Sequence, residues 1–264
     1  MNNTWLISGP PGCGKTTWIL ETLKNHAGPC GYLRLDGTSE QGLQQARNAG
    51  IDHAWLKDQL PQLLDLSDSD LDTKAQLDNL LALIELPQFR APRESGLNGI
   101  DPSVSEQLST LNLTPDRVLH FGRDPDLPRQ DTLDFKKLEA WGLTLYDSVW
   151  DPNSLSSFWF ELVNGAYGDV YRAKALMNMP DGRAFFCNWM VSQQGSQFLP
   201  LTTVAPPHGR PNRRSELVVQ GKALDGIGIQ TTIDDCLISD EVLEMHQAPM
   251  RDRQSEPTTT ITNA

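Results

Sequence analysis

The chain is short of positive charge, of paired cysteines and of long apolar runs, and each shortage removes a class of function. Lys and Arg number 22 against 34 Asp and Glu, for a net charge of −12. So acidic a protein repels phosphate backbones and anionic lipid, which argues against nucleic acid and membrane surfaces as partners. No run reaches the ~18 apolar residues of a membrane-spanning helix. The first apolar strand begins almost at the N-terminus, which leaves no room for a signal peptide, so a cytoplasmic location is expected. Cys13, Cys30, Cys187 and Cys236 form no C-x-C or C-x-x-C pair, so neither a disulfide framework nor a cysteine zinc site is indicated. The histidines His26, His53, His120, His208 and His246 show no H-x-H or H-E-x-x-H spacing, and no metal site is expected from them. No internal repeat is present.

What is there begins with Gly9-Pro10-Pro11-Gly12-Cys13-Gly14-Lys15-Thr16-Thr17, which fits G-x-x-x-x-G-K-S/T without a gap. The apolar run Thr4–Ser8 before it reads as a buried strand, and Thr17–Lys24 after it as a helix. Strand, glycine loop and helix start are the context a phosphate-binding loop needs. Glycines let the backbone turn its N–H groups inward around an anion. The helix N-terminus adds partial positive charge. Lys15 is placed to reach the β- and γ-phosphates, and the Thr16 hydroxyl to ligate Mg²⁺. Cys13 reads as a small filler inside the loop.

With 264 residues, 38% hydrophobic and 21% charged, the chain suits one or two globular domains. Gly31–Gly37 reads as a second strand ending in Asp36, followed by helical pieces over 38–66 that break near Gly50 and Pro61. Ser67–Asp70 reads as the cap of a helix running to about Leu81. Leu80–Pro87, apolar on both faces, is a third strand of the buried parallel type. Residues 90–105 read as a loop and Arg117–Phe121 as a fourth strand. Leu133–Glu139 reads as a helix, and Leu143–Tyr146 as a fifth strand. Strands alternating with helices predict an α/β fold, a parallel sheet flanked by helices, over 1–148. A smaller α+β domain is expected over 149–245. Its parts are a helix at Ser154–Val163, a hairpin from Asp169–Met177 to Ala184–Val191, a strand at Ser215–Lys222 and a helix at Asp225–Cys236. The tail, 246–264, is expected to be disordered.

Asp36 and Glu85 fall at the C-terminal ends of their strands, the ligand side of a parallel sheet. Each reads either as a magnesium or water ligand or as a structural acid. For Asp36 the structural role is a helix cap or surface acid; for Glu85 it is a buried acid paired with Arg90. His120 reads as a strand residue and His208 as a loop residue able to touch a partner. Arg213 and Arg214 read as an interface pair or a solvated one. Trp150, Phe158, Trp159 and Phe160 are expected to pack an interdomain seam.

The N-terminal phosphate loop, Gly168–Ala175, Arg214–Lys222 and the helix ending Asp235-Cys236-Leu237 together resemble the CobW-type P-loop GTPases, which are similar to nickel-insertion metallochaperones. The family's pieces are a strand with R-x-K-G, where Ala175 replaces the glycine here, and a strand R-x-x-x-L-V-x-x-G. The likeness covers 4–24 and about 150–240. It implies Mg²⁺-dependent GTP binding and hydrolysis, used as a switch in metal or cofactor delivery, with Zn²⁺ or Co²⁺ as cargo. It matches Asp36 to the acid of the family's N-D-x-G segment. Lys15, Asp36 and Glu85 are then the catalytic set, Thr16, Asp36 and Glu85 the metal set, and Gly9 to Thr17 the nucleotide cradle. The family's C-x-C-C motif is absent. So is its N-K-x-D motif, in whose place stand Gly122–Asp126, with Asp124 or Asp126 as base acceptors, so ATP stays beside GTP. Glu85-Leu86-Pro87-Gln88 keeps the acid of E-x-x-G and loses the glycine. Expected partners are the nucleotide, a client metalloprotein and a second copy as a homodimer, with no nucleic acid and no membrane. A P-loop small-molecule kinase and a nucleotide-binding scaffold with little hydrolysis are the alternatives.

Overall fold

The computed structural model describes residues 3–35, 49–67, 78–88, 92, 94, 96–127 and 139–255. A five-stranded parallel sheet is built from β1 (Asn3–Gly9), β2 (Cys30–Arg34), β3 (Leu64–Asp65), β4 (Leu81–Pro87) and β5 (Arg117–His120), in the order β3-β2-β4-β1-β5. All seven residues of β4 are buried, as expected of a strand covered on both faces. Helices α1 (Lys15–Lys24) and α2 (Ala49–Gln59) cover one face. Helix α3 (Pro102–Thr110) covers the other, packing Val104 and Leu108 on Leu6, Ile84 and Val118. Asp101 caps α3 by accepting from the Ser103 N–H, and Pro102 occupies its first turn, where its missing donor is harmless.

The second sheet is antiparallel, in the order β6-β10-β7-β8-β9. Its strands are β6 (Glu139–Thr144), β7 (Asp169–Asn178), β8 (Ala184–Met190), β9 (Gln197–Pro200) and β10 (Glu216–Lys222). Helices α4 (Pro152–Val163) and α5 (Gly226–Cys236) lie on its outer face. Its inner face packs on α1 and α2: Leu176, Ala184, Phe186 and Val218 join one core with Ile19, Leu23, Ile51 and Leu56. Side chains of a strand alternate between faces. In β7 this sends Ala173, Ala175 and Met177 to the outer core and leaves Arg172, Lys174 and Leu176 to the inner face.

The structure corrects several expectations. Residues 90–105 are not all loop, since Pro102–Thr110 is α3, and Gly50 is no break but lies within α2. Leu143–Tyr146 is no fifth strand of the parallel sheet; Glu139–Thr144 pairs antiparallel with β10, so the second sheet starts before residue 148. Trp150, Phe158 and Trp159 do not line an interdomain seam but fill the core between the second sheet and its own helices, while Phe160 is exposed. The tail loses its first ten residues to α6 (Asp240–Ser255), because Leu243 packs on Val149 and Ile238 and the Gln247 side chain binds both the N–H and the carbonyl of Gly209. The predicted helix at 133–139 and cap at Ser67–Asp70 lie almost wholly outside the described residues. Among those described, no helix is long and apolar enough to cross a membrane.

Candidate phosphate-loop site

The phosphate loop leaves β1 at Gly9 and enters α1 at Lys15. Gly12 and Gly14 hold φ of 81° and 90°, values that strain any residue with a β-carbon. Gly12 has a second reason to be bare: a β-carbon there would collide with Met190 Sδ of β8. No side chain caps α1, so its first-turn N–H groups keep the free donors and positive potential that attract anions.

Lys15 is buried, and its Nζ donates to the carbonyls of Gly9 and Pro10 at 2.9 Å each. It also lies 3.8 Å from Glu85 Oε1. Glu85 Oε2 accepts from the Tyr32 hydroxyl at 2.7 Å, and Arg34 lies 3.9 Å from its other oxygen. Burial, with Glu85 beside it, pushes the Tyr32 phenol well above its ordinary range, so it remains a donor. Arg90, proposed as the partner of Glu85, lies outside the described residues, as does Asp36.

The acid that meets Thr16 is Asp52 of α2. Thr16 Oγ1 donates to Asp52 Oδ1 at 2.9 Å. Lys174 of β7 contacts the same oxygen, and Arg34 holds the other one. Lys174 Nζ is also 3.4 Å from Thr16 Oγ1. Burial opposes the charge on Asp52, but Lys174 and Arg34 outweigh it and hold the carboxyl below the usual carboxylate range. Burial pushes the Lys174 ammonium down to about 8 against the pull of Asp52. Arg172 completes the group: its Nη1 donates to Gln220 at 3.2 Å, and its buried Nε has no hydrogen-bond partner among the described residues. Four cations, Lys15, Arg34, Arg172 and Lys174, thus face the carboxylates of Asp52 and Glu85, with a third, the buried Glu216 of β10, within electrostatic reach of Arg34. An excess of buried positive charge is stable only if something negative answers it.

Sequence reasoning missed Asp52, Arg172 and Lys174. The signal for the last two was present in the period-2 alternation Arg172, Lys174, Leu176, which marks one face of a strand. Asp52 had no motif around it.

In the segment standing where a base-reading motif would be, both acids are engaged. Asp124 Oδ2 accepts from the His120 N–H at 2.5 Å, and Asp126 pairs with Arg117 at 2.7 Å. His120 Nδ1 lies 2.8 Å from Ser8 Oγ. Burial first, then the Arg123 guanidinium, push its imidazole down to about 4, from an ordinary value near ~6.5. Between those values the unfolded chain binds a proton that the folded chain does not. Stability therefore rises with pH across that window and is lost as pH falls through it. Urea curves at about pH 7 and about pH 4.5 should differ on this account by roughly 2 kcal/mol, after allowance for partial solvation. In His120→Asn most of that difference should vanish; an unchanged difference would place the acid sensitivity elsewhere.

As to metals, Thr16 and Asp52 together offer hard oxygen donors, the chemistry Mg²⁺ takes, so these residues fit that ion. Among the described residues no group of three or more His, Cys, Asp or Glu is placed to hold a metal ion.

Fold and loop together define an α/β protein with a phosphate-loop arrangement at its first strand–helix junction. No family model matches the chain, and no curated protein matches it. Among solved structures it is similar to the Zn(II)-bound YjiA GTPase from E. coli, at a TM-score of 0.32 and 13% identity, covering 89% of this chain and 99% of that one. A Zn(II)-bound triple mutant of the same GTPase has a TM-score of 0.32 at 14% identity, with the same coverage. Both likenesses are too distant to carry an activity to this chain.

Proposed function

We propose that the chain binds a nucleoside triphosphate, GTP or ATP, on Gly9 to Thr17 and hydrolyses it. The observation that carries this reading is the buried cationic excess gathered on an uncapped helix N-terminus. Loop amides and the α1 N-terminus grip the phosphates. Lys15, now on the Gly9 and Pro10 carbonyls, has oxygen partners it can exchange for phosphate oxygens. Arg172 and Lys174 arrive from the second sheet and face the same space. Charge that builds up on phosphate oxygens during transfer is stabilised by such groups. Glu85 keeps Lys15 oriented, and Asp36 stays a candidate for orienting water. Thr16 and Asp52 would hold Mg²⁺, which when bound neutralises phosphate charge. Lys174 competes for those two oxygens, so the second sheet is coupled to the state of the loop. That coupling is what a nucleotide-dependent switch needs; its use in CobW-like metal or cofactor delivery, with Zn²⁺ or Co²⁺ as cargo and a client metalloprotein as recipient, is proposed from the sequence resemblance alone.

The test is calorimetry with GTP and with ATP in the presence of Mg²⁺, followed by phosphate release without any acceptor. Binding and acceptor-free release are expected, repeated with Zn²⁺ or Co²⁺ to read the switch. Release only after a small acceptor is added would make the chain a phosphotransferase. No heat with either nucleotide would end the reading.

A further inference from the structure

A second cleft lies away from the phosphate loop. It has a volume of about 730 Å³ and lies between α2, the inner face of the second sheet and the segment 201–214, within the size range of small-molecule sites. Its wall carries Lys57, Arg210, Arg213 and Arg214, in a protein whose net charge is −12. His53 and His208 stand beside them, and Asp58 is the acid on the wall. The Asp58 carboxylate accepts from the N–H groups of Thr202 and Thr203 at 2.8 and 2.9 Å. Burial works against its charge, but these bonds prevail and lower its pKa. That acid therefore serves to pin the segment rather than to neutralise the wall.

The cations differ in what already holds them. Lys57 donates to the Leu63 carbonyl, Arg213 to those of Thr203 and Gly182, and Arg210 to Asp240. Arg214 lies within electrostatic reach of the buried Glu216 carboxylate without a hydrogen bond to it, and its guanidinium lies against Gly50 of α2, where any β-carbon would collide with it. Leu176 and Leu201 add an apolar lining. Planar guanidinium forks match the oxygens of phosphate, and the leucines suit a hydrocarbon body.

We infer that this cleft binds a small organic phosphate, a phosphomonoester carried on an apolar group. The site is separate from the phosphate loop and does not depend on nucleotide. Phenyl phosphate is the probe, titrated by calorimetry against the full chain without nucleotide or metal, with phenol and inorganic phosphate alongside. Phenyl phosphate should bind at least ten times more tightly than either. Arg214→Gln, at an exposed position with no hydrogen bond to lose, should weaken it at least tenfold with an unchanged circular dichroism spectrum. Arg214→Lys should recover part of the loss, and Lys15→Ala should leave the affinity within twofold of wild type. No binding, equal binding of phenol, an unaffected Arg214→Gln, or loss in Lys15→Ala would each overturn the assignment. The last would move the probe into the phosphate loop, and an inactive nucleotide site with a functional cleft would separate the two readings.

Discussion

Replacing Asp52 by alanine is expected to destabilise the fold by about 3–5 kcal/mol, because it strips the counter-charge from buried cations. Asp52 is 1% exposed and holds Thr16, Arg34 and Lys174 at once. It sits on α2, while Lys174 sits on β7, 122 residues away in sequence. The substitution therefore acts at the contact between the two sheets' layers. Glu85, 3.9 Å from Arg34, covers only part of the deficit. A surface pair sets the scale: Arg117–Asp126 is 41% and 64% exposed, and Asp126→Ala should cost less than about 1 kcal/mol. Urea unfolding at neutral pH reads both. The double variant Asp52→Ala with Lys174→Met should regain much of the loss, since removing both charges of a buried pair is far milder than removing one. If Asp52→Ala alone unfolds within about 1 kcal/mol of wild type, the cluster is wetter than its burial indicates and its charges are not what joins the layers.

Much of the fold was legible because it rests on local signals. The run Thr4–Ser8, the glycine loop and the helix after it are contiguous, and β4 announces itself by the unbroken apolar run Leu80–Ile84. The hairpin β7–β8 follows from alternation on both sides of a Pro180–Arg183 turn. What failed depends on distance. Nothing in Leu143–Tyr146 states whether its partner is parallel or antiparallel; that is decided by β10, more than seventy residues on. The same holds for the site. The phosphate loop is a compact motif, legible on its own. Asp52 gains its meaning only when β7 folds back and lays Lys174 on it. Arg172 and Lys174, at alternate positions, share a strand face that gains its role only when the phosphate loop and α2 are laid over it. Charged residues at period 2 carry no label saying whether water or another layer will cover them.

Lys15→Ala should lower nucleotide affinity about 100-fold or more. A lysine on phosphate oxygens makes charge-assisted hydrogen bonds of roughly 1.5–3 kcal/mol each, so losing two removes about 3 kcal/mol, or two powers of ten. The loop's amides and the α1 dipole remain, so residual binding is expected. Lys15 also satisfies the Gly9 and Pro10 carbonyls at 2.9 Å, and a shortened side chain lets water replace it there. Stability should accordingly fall by no more than about 2 kcal/mol, a loss that urea unfolding separates from the binding defect. Lys174→Met is the informative companion. If Lys174 competes with Mg²⁺ at Thr16 and Asp52, its removal should strengthen Mg²⁺-nucleotide binding while slowing phosphate release, since a charge facing the phosphates is also lost. Were Lys15→Ala to bind nucleotide as well as wild type, the anion would have to be held elsewhere. The cationic excess around Asp52 and Glu85 would then be a structural joint between two sheets and not a phosphate site.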